Sequence, residues 1–406
     1  MRVTTAFNRL LGIGGVSVAS VGFEREGVVL GLRLRRRLLV CSHCGCVGRA
    51  GYDRRRRRWR HLDLGGARCF LEYALRRFPC PGCRRVVSEA VPWARPAARF
   101  TRAFEDVVAW LAQQAAFSVI SRLLRVSWRS VARIVARVVR ELGAGERLQG
   151  LRRIGVDDVS YRRGYRFLTV VADHDTGRVV WVAEGHSQET LERFFDQLGS
   201  EGTTKLVAVS CDMWAAYQKA LAARLPSQVR VCVDPFHVVQ RANRAVESVR
   251  KQEWRRLQAS GGRGRWLKQT RWAVLKRPER LSERQAETLA TLERENARLY
   301  RAYLLKEQLR GIYAAAPSEA ASLLDAWTDC ADRSELPPFL TLARTLRKYR
   351  ARVLAAIELD LSNSRLEALN SKVRLISHRS YGFHSADPLI ALIHLCCGPL
   401  TIELPT

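Results

Sequence analysis

No stretch of the 406 residues approaches the run of roughly 20 apolar residues that a membrane-spanning helix needs. The N-terminal segment lacks a clear signal-peptide pattern, because Arg25 and the arginine-rich run after it lie where a cleavage site would be. The 11 cysteines are an odd number in a long chain, which argues against a secreted disulfide framework. These absences argue against a membrane protein and a disulfide-rich secreted domain, and we expect a reduced, cytosolic protein.

Acidic residues are also scarce, with 39 Asp and Glu against 69 Lys and Arg and a formal net charge of +30. Residues 1–100 contain 21 Arg and 6 Asp or Glu, an excess of 21 − 6 = 15, which is half of the total in a quarter of the chain. A GC-rich genome would explain arginine in place of lysine but not the sign of the imbalance. The charge therefore predicts a polyanionic partner. An apolar fraction of 47% is enough for a hydrophobic core, and the length indicates two or more domains.

Two Cys-x-x-Cys pairs lie in the basic N-terminal part, at Cys41–Cys44 and Cys80–Cys83. Together they can supply four thiolates in the tetrahedral arrangement that Zn²⁺ prefers. The separation of 80 − 44 = 36 positions is longer than the usual zinc-ribbon spacing. Cys46 and Cys69 are expected to be core thiols, although Cys46 could replace Cys44 as a ligand. We predict a small zinc-binding β module, the alternative being incidental core cysteines.

The densest positive charge lies between these pairs. It is a run of five arginines: Arg54, Arg55, Arg56, Arg57 and Arg58. Such a run cannot bury itself, so we predict a solvated loop or an arm that contacts DNA phosphates. Trp59 follows directly and could pack on the zinc knuckle or stack on a base; we favour packing.

A helix-turn-helix is predicted between residues 100 and 145. A short helix at about 119–124 and a turn at 125–127 precede a helix that begins at Trp128, with Ser127 as its N-cap. The residues expected to contact bases are Arg129, Ser130 and Arg133. The alternative is a helical linker whose arginines only face solvent.

From residue 154 the pattern changes to short strands. Three of them, at 154–159, 166–172 and 179–183, form a meander, and a helix capped by Ser187 follows. Strands at 206–210 and 229–233 then alternate with helices. This is the order of an RNase H-like α/β domain, in which the fourth strand lies beside the first.

Three carboxylates occupy informative places in that order. Asp157 lies on the first strand, Asp212 follows the fourth, and Glu367 lies on a late helix. Two carboxylates at strand ends and one on a distant helix can converge to hold two divalent ions, which activate a water or a 3′ hydroxyl in phosphodiester chemistry. Oxygen ligands suit Mg²⁺, with Mn²⁺ as the substitute.

Several neighbours are possible parts of the same site. Asn370 shares a polar stripe with Asn363, Glu367 and Arg374 on the late helix. Asp234 could cap the helix that follows it. His237 could contact the scissile phosphate or simply pack beneath the site.

The predicted organisation has five parts. They are a zinc-binding basic module at 1–95, a helix-turn-helix at 100–145, the first part of the RNase H-like core at 151–239, a helical insertion at 240–355, and the last part of the core at 356–400.

The chain resembles transposases of the ISL-three insertion-sequence family over nearly its whole length. The motifs that carry the resemblance, besides the cysteine pairs, are Gly155-Val156-Asp157-Asp158, Ser210-Cys211-Asp212-Met213-Trp214, Asp234-Pro235-Phe236-His237, Asn363-Ser364-Arg365-Leu366-Glu367-Ala368-Leu369-Asn370 and Tyr381-Gly382-Phe383. The family usually has Asp-Glu where this chain has Asp157-Asp158, so Asp158 is a rival to Asp157 as ligand. The family also tends to have Gly-Pro where this chain has Ser364-Arg365.

The resemblance implies a bacterial, nucleoid-associated DDE transposase. It would bind the terminal inverted repeats of its element as double-stranded DNA, expose 3′ hydroxyls, and join them to target DNA. Asp157 would bridge two Mg²⁺ ions, while Asp212 and Glu367 would each hold one. Pairing two DNA ends implies a homodimer or a higher synaptic assembly. The alternatives are a DNA-binding regulator with an inactive core and an RNase H-like nuclease that acts on structured nucleic acid.

Overall fold

The computed structural model describes residues 2–143, 147–260, 264–361, 364–379, 383 and 385–405, and only the backbone of residues 364–366. The chain divides into two units. The first comprises Met1–Ala144 with Asp387–Cys396 and Leu400–Thr406, and the second comprises Gly145–Ala386 with Cys397–Pro399. Within the described ranges, we find no helix with the length and apolar character needed to cross a bilayer.

The first unit combines a five-stranded sheet with three helices after it. In chain order its elements are α1 (Val3–Leu11), β1 (Val16–Glu24), β2 (Gly27–Leu34), β3 (Leu39–Val40), β4 (Val47–Gly48), β5 (Asp53–Leu64), β6 (Ala67–Cys80), β7 (Arg85–Ser88), α2 (Arg102–Gln114), α3 (Phe117–Leu123) and α4 (Trp128–Leu142). The sheet order is β1-β2-β6-β5, with β7 also paired to β6, while β3 and β4 form a separate small ladder. The predicted zinc module and helix-turn-helix both lie in this unit.

The arginine run is part of a strand, so the predicted loop was wrong, while its contact with DNA phosphates stays a prediction. It lies in β5, where Arg54 pairs with Arg76 and Arg58 with Glu72 across the antiparallel ladder to β6. Gly65 adopts a left-handed backbone (φ 61°) in the two-residue turn that joins the strands. A strand tolerates such a run because successive side chains point to opposite faces, and the carboxylates of neighbouring strands can pair with some of them.

Trp59 packs rather than faces solvent, as the sequence favoured, but not on the zinc knuckle. It is buried in the core of the large sheet and meets Trp93 edge to face, with ring centroids 5.6 Å apart.

The second unit contains a mixed five-stranded sheet and a long series of helices. Its elements are β8 (Arg153–Arg162), β9 (Arg166–Asp173), β10 (Arg178–Glu184), α5 (Gln188–Thr204), β11 (Ala208–Cys211), α6 (Ala215–Arg224), β12 (Arg230–Val233), α7 (Pro235–Ala259), α8 (Arg271–Leu275), α9 (Glu283–Glu295), α10 (Ala297–Ile312), α11 (Pro317–Asp332), α12 (Pro337–Lys348), α13 (Arg350–Glu358) and α14 (Ser364–Arg379), with short 3₁₀ turns at Gly264–Lys268 and Pro278–Arg280. The last helix, α15 (Ala386–Cys397), has most of its residues in the first unit.

The sheet of the second unit has the order β10-β9-β8-β11-β12. The first three strands form an antiparallel meander, while β11 runs parallel to both β8 and β12. The predicted position of the fourth strand beside the first is therefore confirmed. Ser187 caps α5 as predicted, its side chain accepting a hydrogen bond from the Thr190 N–H. Apolar residues on one face of the sheet pack against α5 and α6.

The helices from α7 to α13 have a hydrophobic core of their own, which includes Val246, Leu309 and Phe339. Within it the Trp327 indole N–H donates to the Leu305 carbonyl at 2.7 Å. Three of these helices, α7, α11 and α12, begin with proline. Proline suits that position because the N–H it lacks would have no partner inside the helix.

Candidate active site and nucleic-acid interface

The three predicted carboxylates line one cavity, whereas the group of metal-ligand atoms that lie within 4.8 Å of one another in the described part of the chain is that of four cysteines. Asp157, Asp212 and Glu367 all line a single cavity of about 370 Å³, here called the acidic cavity. The other residues singled out from the sequence line it too: Asp158, Asp234, His237, Asn370 and Arg374. Side chains 210 positions apart in the chain are thus brought together by β8, β11, α7 and α14.

The sequence suggested that Asp157 lies at the end of its strand, but in the structure it does not. It lies within β8, just beyond Gly155, where the parallel pairing of β8 with β11 stops. The β8 ladder to β9 continues on the other side, with Asp157 opposite Val170. Because β11 is shorter than β8, none of its residues pairs with the backbone of Asp157. Asp212 directly follows the last residue of β11. The mismatch in strand length places the two carboxylates side by side.

Asp157 is held from several directions. Its Oδ2 accepts a hydrogen bond from Asn370 Nδ2, and its Oδ1 accepts one from the Asp158 N–H at 2.8 Å. His237 Nε2 lies 3.7 Å from Asp157 Oδ1 and 3.6 Å from Asp234 Oδ2. Asn370 is buried, although its place on a polar stripe of the helix predicted exposure. Asn363 of the same stripe lies outside the described residues, and so do Tyr381 and Gly382 of the Tyr381-Gly382-Phe383 motif.

The donor set fits a hard divalent cation. Five carboxylates line the acidic cavity alongside His237 and three arginines, and the buried amide Oδ1 of Asn370 has no hydrogen-bond partner among the described residues. Buried polar atoms are normally paired, so an oxygen without a hydrogen-bond partner beside carboxylates is compatible with a hard cation as its partner. Asp157, Asp212 and Glu367 are the predicted ligands among the residues that line this cavity.

The electrostatics of the acidic cavity also favour a cation. Burial, followed by the charges of Asp157 and Asp212, raises the pKa of Asp158 to about 6. Burial likewise raises the pKa of Asp212, although the Trp214 N–H opposes this. Carboxylates crowded in a partly buried space disfavour one another's ionised form, and a bound cation would relieve that repulsion.

Two neighbours have separate roles in the structure. Asp234 caps α7, its Oδ1 accepting from the Phe236 N–H at 3.0 Å, which confirms the cap. Burial lowers the pKa of His237, but the nearby carboxylates of Asp157 and Asp234 outweigh it, so the pKa is raised. The two carboxylates therefore favour the protonated form of the His237 imidazole.

Positive residues on α7 were missed from the sequence. Arg241 and Arg244 line the acidic cavity together with Arg374. The available signal was their spacing, because positions four and seven after His237 lie on the same face of a helix.

The four predicted zinc ligands also converge. The Sγ atoms of Cys41, Cys44, Cys80 and Cys83, here called the zinc cluster, all lie within 4.8 Å of one another. The two pairs come from the ends of the β3–β4 ladder and of β6, and backbone N–H groups of each knuckle point at its first sulfur. A Cβ on Gly82 would come within 2.7 Å of Cys46 Sγ and 3.0 Å of Cys44 Sγ, so this turn requires glycine.

The zinc cluster has the character of a metal site. Burial raises the pKa of Cys41, but the N–H groups of Cys44 and His43 outweigh it and bring that pKa down to about 6. A thiolate is the form that binds metal. Cys69 is buried in the sheet core as predicted, and the cluster contains Cys44 rather than Cys46.

The arginine run is divided between two roles. Arg54, Arg55 and Arg56 are exposed, although Arg55 lies 3.8 Å from Asp53 and Arg56 lies 3.0 Å from Glu72. Arg57 donates to the Ala98 carbonyl at 2.7 Å, and Arg58 is paired with Glu24 at 2.9 Å and with Glu72 at 3.0 Å.

The helix-turn-helix has the predicted geometry. Ser127 caps α4 by accepting from the Ser130 N–H at 3.2 Å. Arg129 and Arg133 are exposed near the start of α4, and Ser130 is half-buried with its Oγ 2.9 Å from Ser127 Oγ. The opposite face of α4 is buried through Val131, Ile134, Val135 and Val138.

Comparison with known families and proteins gives a consistent result. Residues 154–393 match a family model described as a transposase, residues 89–139 match the helix-turn-helix domain of transposase family ISL3, and residues 37–83 match the zinc-finger of transposase IS204/IS1001/IS1096/IS1165.

Two relatives are similar over most of their length. The chain is 39% identical to the transposase for insertion sequence element IS1557 of Mycobacterium tuberculosis, over 100% of this chain and 98% of the relative. It is 27% identical to the transposase for insertion sequence element IS1001 of Bordetella parapertussis, over 90% of each chain.

Proposed function

Because the chain belongs to the ISL3 family of transposases, we propose that it is a DDE enzyme that cuts DNA at the terminal inverted repeats of its element and joins the 3′ ends to target DNA. The observation that carries this proposal is the convergence of Asp157, Asp212 and Glu367 on one cavity. The sheet order β10-β9-β8-β11-β12, antiparallel and then parallel, supports an RNase H-like core at 151–239 and 356–400 with the helical insertion between these parts.

Asp157, Asp212 and Glu367 would hold the Mg²⁺ ions, with Mn²⁺ as a substitute. Bound there, such ions activate the attacking oxygen and stabilise the leaving oxygen of a phosphodiester. Asp157 is the better ligand candidate than Asp158, because Asn370 and His237 orient it inside the acidic cavity. Asp158 instead has His186 Nδ1 3.6 Å from its Oδ2.

The remaining residues of the cavity position the DNA. His237 lies beside Asp157 and Asp234 and, in its protonated form, would neutralise a phosphate oxygen. Arg241, Arg244 and Arg374 supply further charge for the flanking phosphates. No covalent enzyme intermediate is needed, since the attacking group is a water or a DNA hydroxyl.

The first unit would recognise the element ends. The helix-turn-helix at 100–145 reads sequence, while the zinc module at 1–95 and its exposed arginines hold the backbone. Synapsis of two ends requires at least two copies of the chain, so we propose a homodimer or a larger assembly acting on nucleoid DNA.

The direct test is cleavage of a DNA duplex that carries one terminal inverted repeat, taken from the DNA that flanks this gene. We expect Mg²⁺-dependent nicking at the repeat boundary, none in EDTA, and strand transfer when target DNA is added. Binding without any cleavage would favour a regulator with an inactive core. Cleavage of branched or hybrid substrates without preference for the repeat would favour an RNase H-like nuclease.

Replacing Arg54, Arg55 and Arg56 together with alanine is expected to flatten the salt dependence of DNA binding. If all three contact phosphate, the slope of log K against log salt falls by about 3, because each contact releases roughly 0.9 counterion. The matched control is Arg58→Ala, which removes an arginine of the same run that Glu24 and Glu72 already neutralise. An unaltered slope in the triple variant would mean that the run does not touch DNA.

Arg133→Ala is expected to weaken binding to the repeat by about 1–3 kcal/mol and to reduce discrimination against a scrambled duplex. The reason is that residues near the start of a recognition helix reach the base edges. Arg140→Ala, an exposed arginine at the far end of α4, is the control and should leave discrimination intact. Equal losses on both duplexes for Arg133→Ala would indicate a phosphate contact instead.

A further inference from the structure

A second cavity lies directly beside the acidic cavity in the second unit. It has a volume of about 660 Å³ and lies between α7, α10 and the 3₁₀ turn Pro278–Arg280. Asp234, Phe236 and Glu367 line both cavities. A group held in the second cavity would therefore be adjacent to the phosphodiester that reacts in the first.

The walls of this second cavity combine an aromatic ring with unsatisfied polar atoms. Phe236 is 39% exposed, an unusual state for a phenyl ring at the start of a packed helix. Tyr313 Oη and Asn243 Oδ1 are buried and have no hydrogen-bond partner within the part of the chain that the structure describes. Buried polar groups are normally paired, so these atoms point to a polar ligand.

Of the charged side chains that line this cavity, Glu279 and Glu307 both pair with Arg310, and the basic residues differ in whether they have a partner. Lys306 donates to the Val274 carbonyl at 2.7 Å, and Arg310 pairs with Glu307 at 2.8 Å, so both serve the local structure. Arg277 is exposed at the cavity and has no ion-pair partner in the described ranges. A phosphate at the cavity entrance could therefore pair with Arg277.

We propose that this cavity, the nucleotide pocket, holds one unstacked nucleotide of the DNA end next to the cleaved bond. Phe236 stacks on the base, Tyr313 and Asn243 bond to its polar edge, and Arg277 faces its phosphate. The volume lies within the roughly 300–1,000 Å³ typical of ligand pockets, and flipped bases are held elsewhere by the same combination of stacking and edge contacts. The inference rests on the proposed function, because it assumes that the acidic cavity acts on DNA.

Gly311 provides a way to fill the nucleotide pocket without disturbing its walls. It lies in α10 and lines the cavity, and a Cβ built on it would meet no atom within 4 Å. Gly311→Phe should therefore fold and occupy the space of the base. Gly311→Ala is the matched control, since it adds one methyl group to the same helix position and leaves the pocket open.

The first measurement uses a duplex end with 2-aminopurine, which brightens when unstacked, at each position flanking the cleavage site. Complexes are formed in Ca²⁺ to study binding apart from cleavage. We expect a severalfold rise in fluorescence at one position with wild type and Gly311→Ala, and no rise with Gly311→Phe.

The second measurement is cleavage in Mg²⁺. Gly311→Phe should cut the intact duplex about 100-fold more slowly than wild type, because a displaced strand end misplaces the scissile phosphate. It should cut a duplex with an abasic site at that position at the wild-type rate, because no base then needs a pocket. If Gly311→Phe instead damaged the fold, an abasic site in the DNA would not restore its cleavage rate.

The outcomes separate the pocket from the proposed function. Wild-type cleavage with no 2-aminopurine signal, or equal cleavage by Gly311→Phe and wild type on the intact duplex, would overturn the pocket and leave the transposase proposal standing. A 2-aminopurine signal that Gly311→Phe abolishes, without wild-type cleavage in Mg²⁺, would support the pocket and overturn the proposed chemistry.

Discussion

Asp212→Asn is expected to reduce DNA strand cleavage by more than about 100-fold while leaving the affinity for DNA ends unchanged. Outer-shell changes at metal sites already cost about 10–100-fold, and a direct ligand should cost more. Asparagine keeps the shape of aspartate, but its neutral oxygen is a poorer ligand for a hard cation. Asp157→Asn and Glu367→Gln should behave in the same way, because all three side chains line the acidic cavity.

Asp175→Asn is the matched control for this loss. Asp175 lies in the same sheet region, at the β9–β10 turn, where it pairs with Arg153 away from the acidic cavity. Its replacement should leave cleavage at the wild-type rate. If Asp212→Asn also cleaves like wild type, the metal-site hypothesis fails.

A second comparison tests whether Asp157 or Asp158 is the metal ligand. Loss of cleavage in Asp158→Asn together with normal cleavage in Asp157→Asn would transfer the ligand role to Asp158. The thermal stability of Asp158→Asn and of Asp212→Asn without Mg²⁺ should be equal to or above that of wild type, because burial and neighbouring carboxylates disfavour the ionised form of both groups. This check shows that lost cleavage does not come from misfolding.

Cys80→Ser is expected to lower the zinc content from one ion per chain to none and to weaken binding of DNA ends. A serine hydroxyl is not deprotonated at neutral pH, so it cannot replace a thiolate ligand. Structural zinc contributes roughly 10–16 kcal/mol of apparent binding free energy in zinc-finger peptides, much of which is folding free energy. The β3–β4 ladder and the end of β6, joined by the zinc cluster, should therefore lose their order. Elemental analysis and hydrogen exchange of residues 39–48 and 80–88 measure the two effects.

Cys330→Ser is the control for the zinc experiment. Cys330 is exposed in α11 of the second unit and is not part of the zinc cluster. Its replacement should change neither zinc content nor DNA binding. Retention of a full equivalent of zinc by Cys80→Ser would remove the assignment of this ligand, and Cys46→Ser would then test whether Cys46 replaces it.

Features that depend on neighbours in the chain could be predicted from the sequence. Ser127 and Ser187 cap their helices where expected, since a cap bonds to a backbone N–H only three residues away. The alternation of strands and helices also gave the correct place of β11 beside β8. Recognition of Asp157, Asp212 and Glu367 as a group depended on that order and on the family motifs.

Features that depend on distant partners could not be predicted in the same way. The arginine run is a strand because its backbone pairs with β6, where Glu72 contacts Arg56 and Arg58, and a run of like charges does not reveal such a partner. Asn370 was placed on a polar stripe, yet it is buried against Asp157, 213 positions earlier. The nucleotide pocket has no sequence signal, because its walls come from separated helices.

Residue types and their spacing alone determined which chemistry the chain could support: thiolates in two pairs, three carboxylates in a strand-and-helix order, and an excess of positive charge. Those properties follow from local backbone preferences and ligand chemistry, which need no knowledge of distant contacts. Only the tertiary structure decided which groups meet, because distances between side chains far apart in the chain depend on how strands of unequal length pair and how helices pack. The short β11 beside the longer β8 illustrates this, since it opens the edge of Asp157 to Asp212 and to α14.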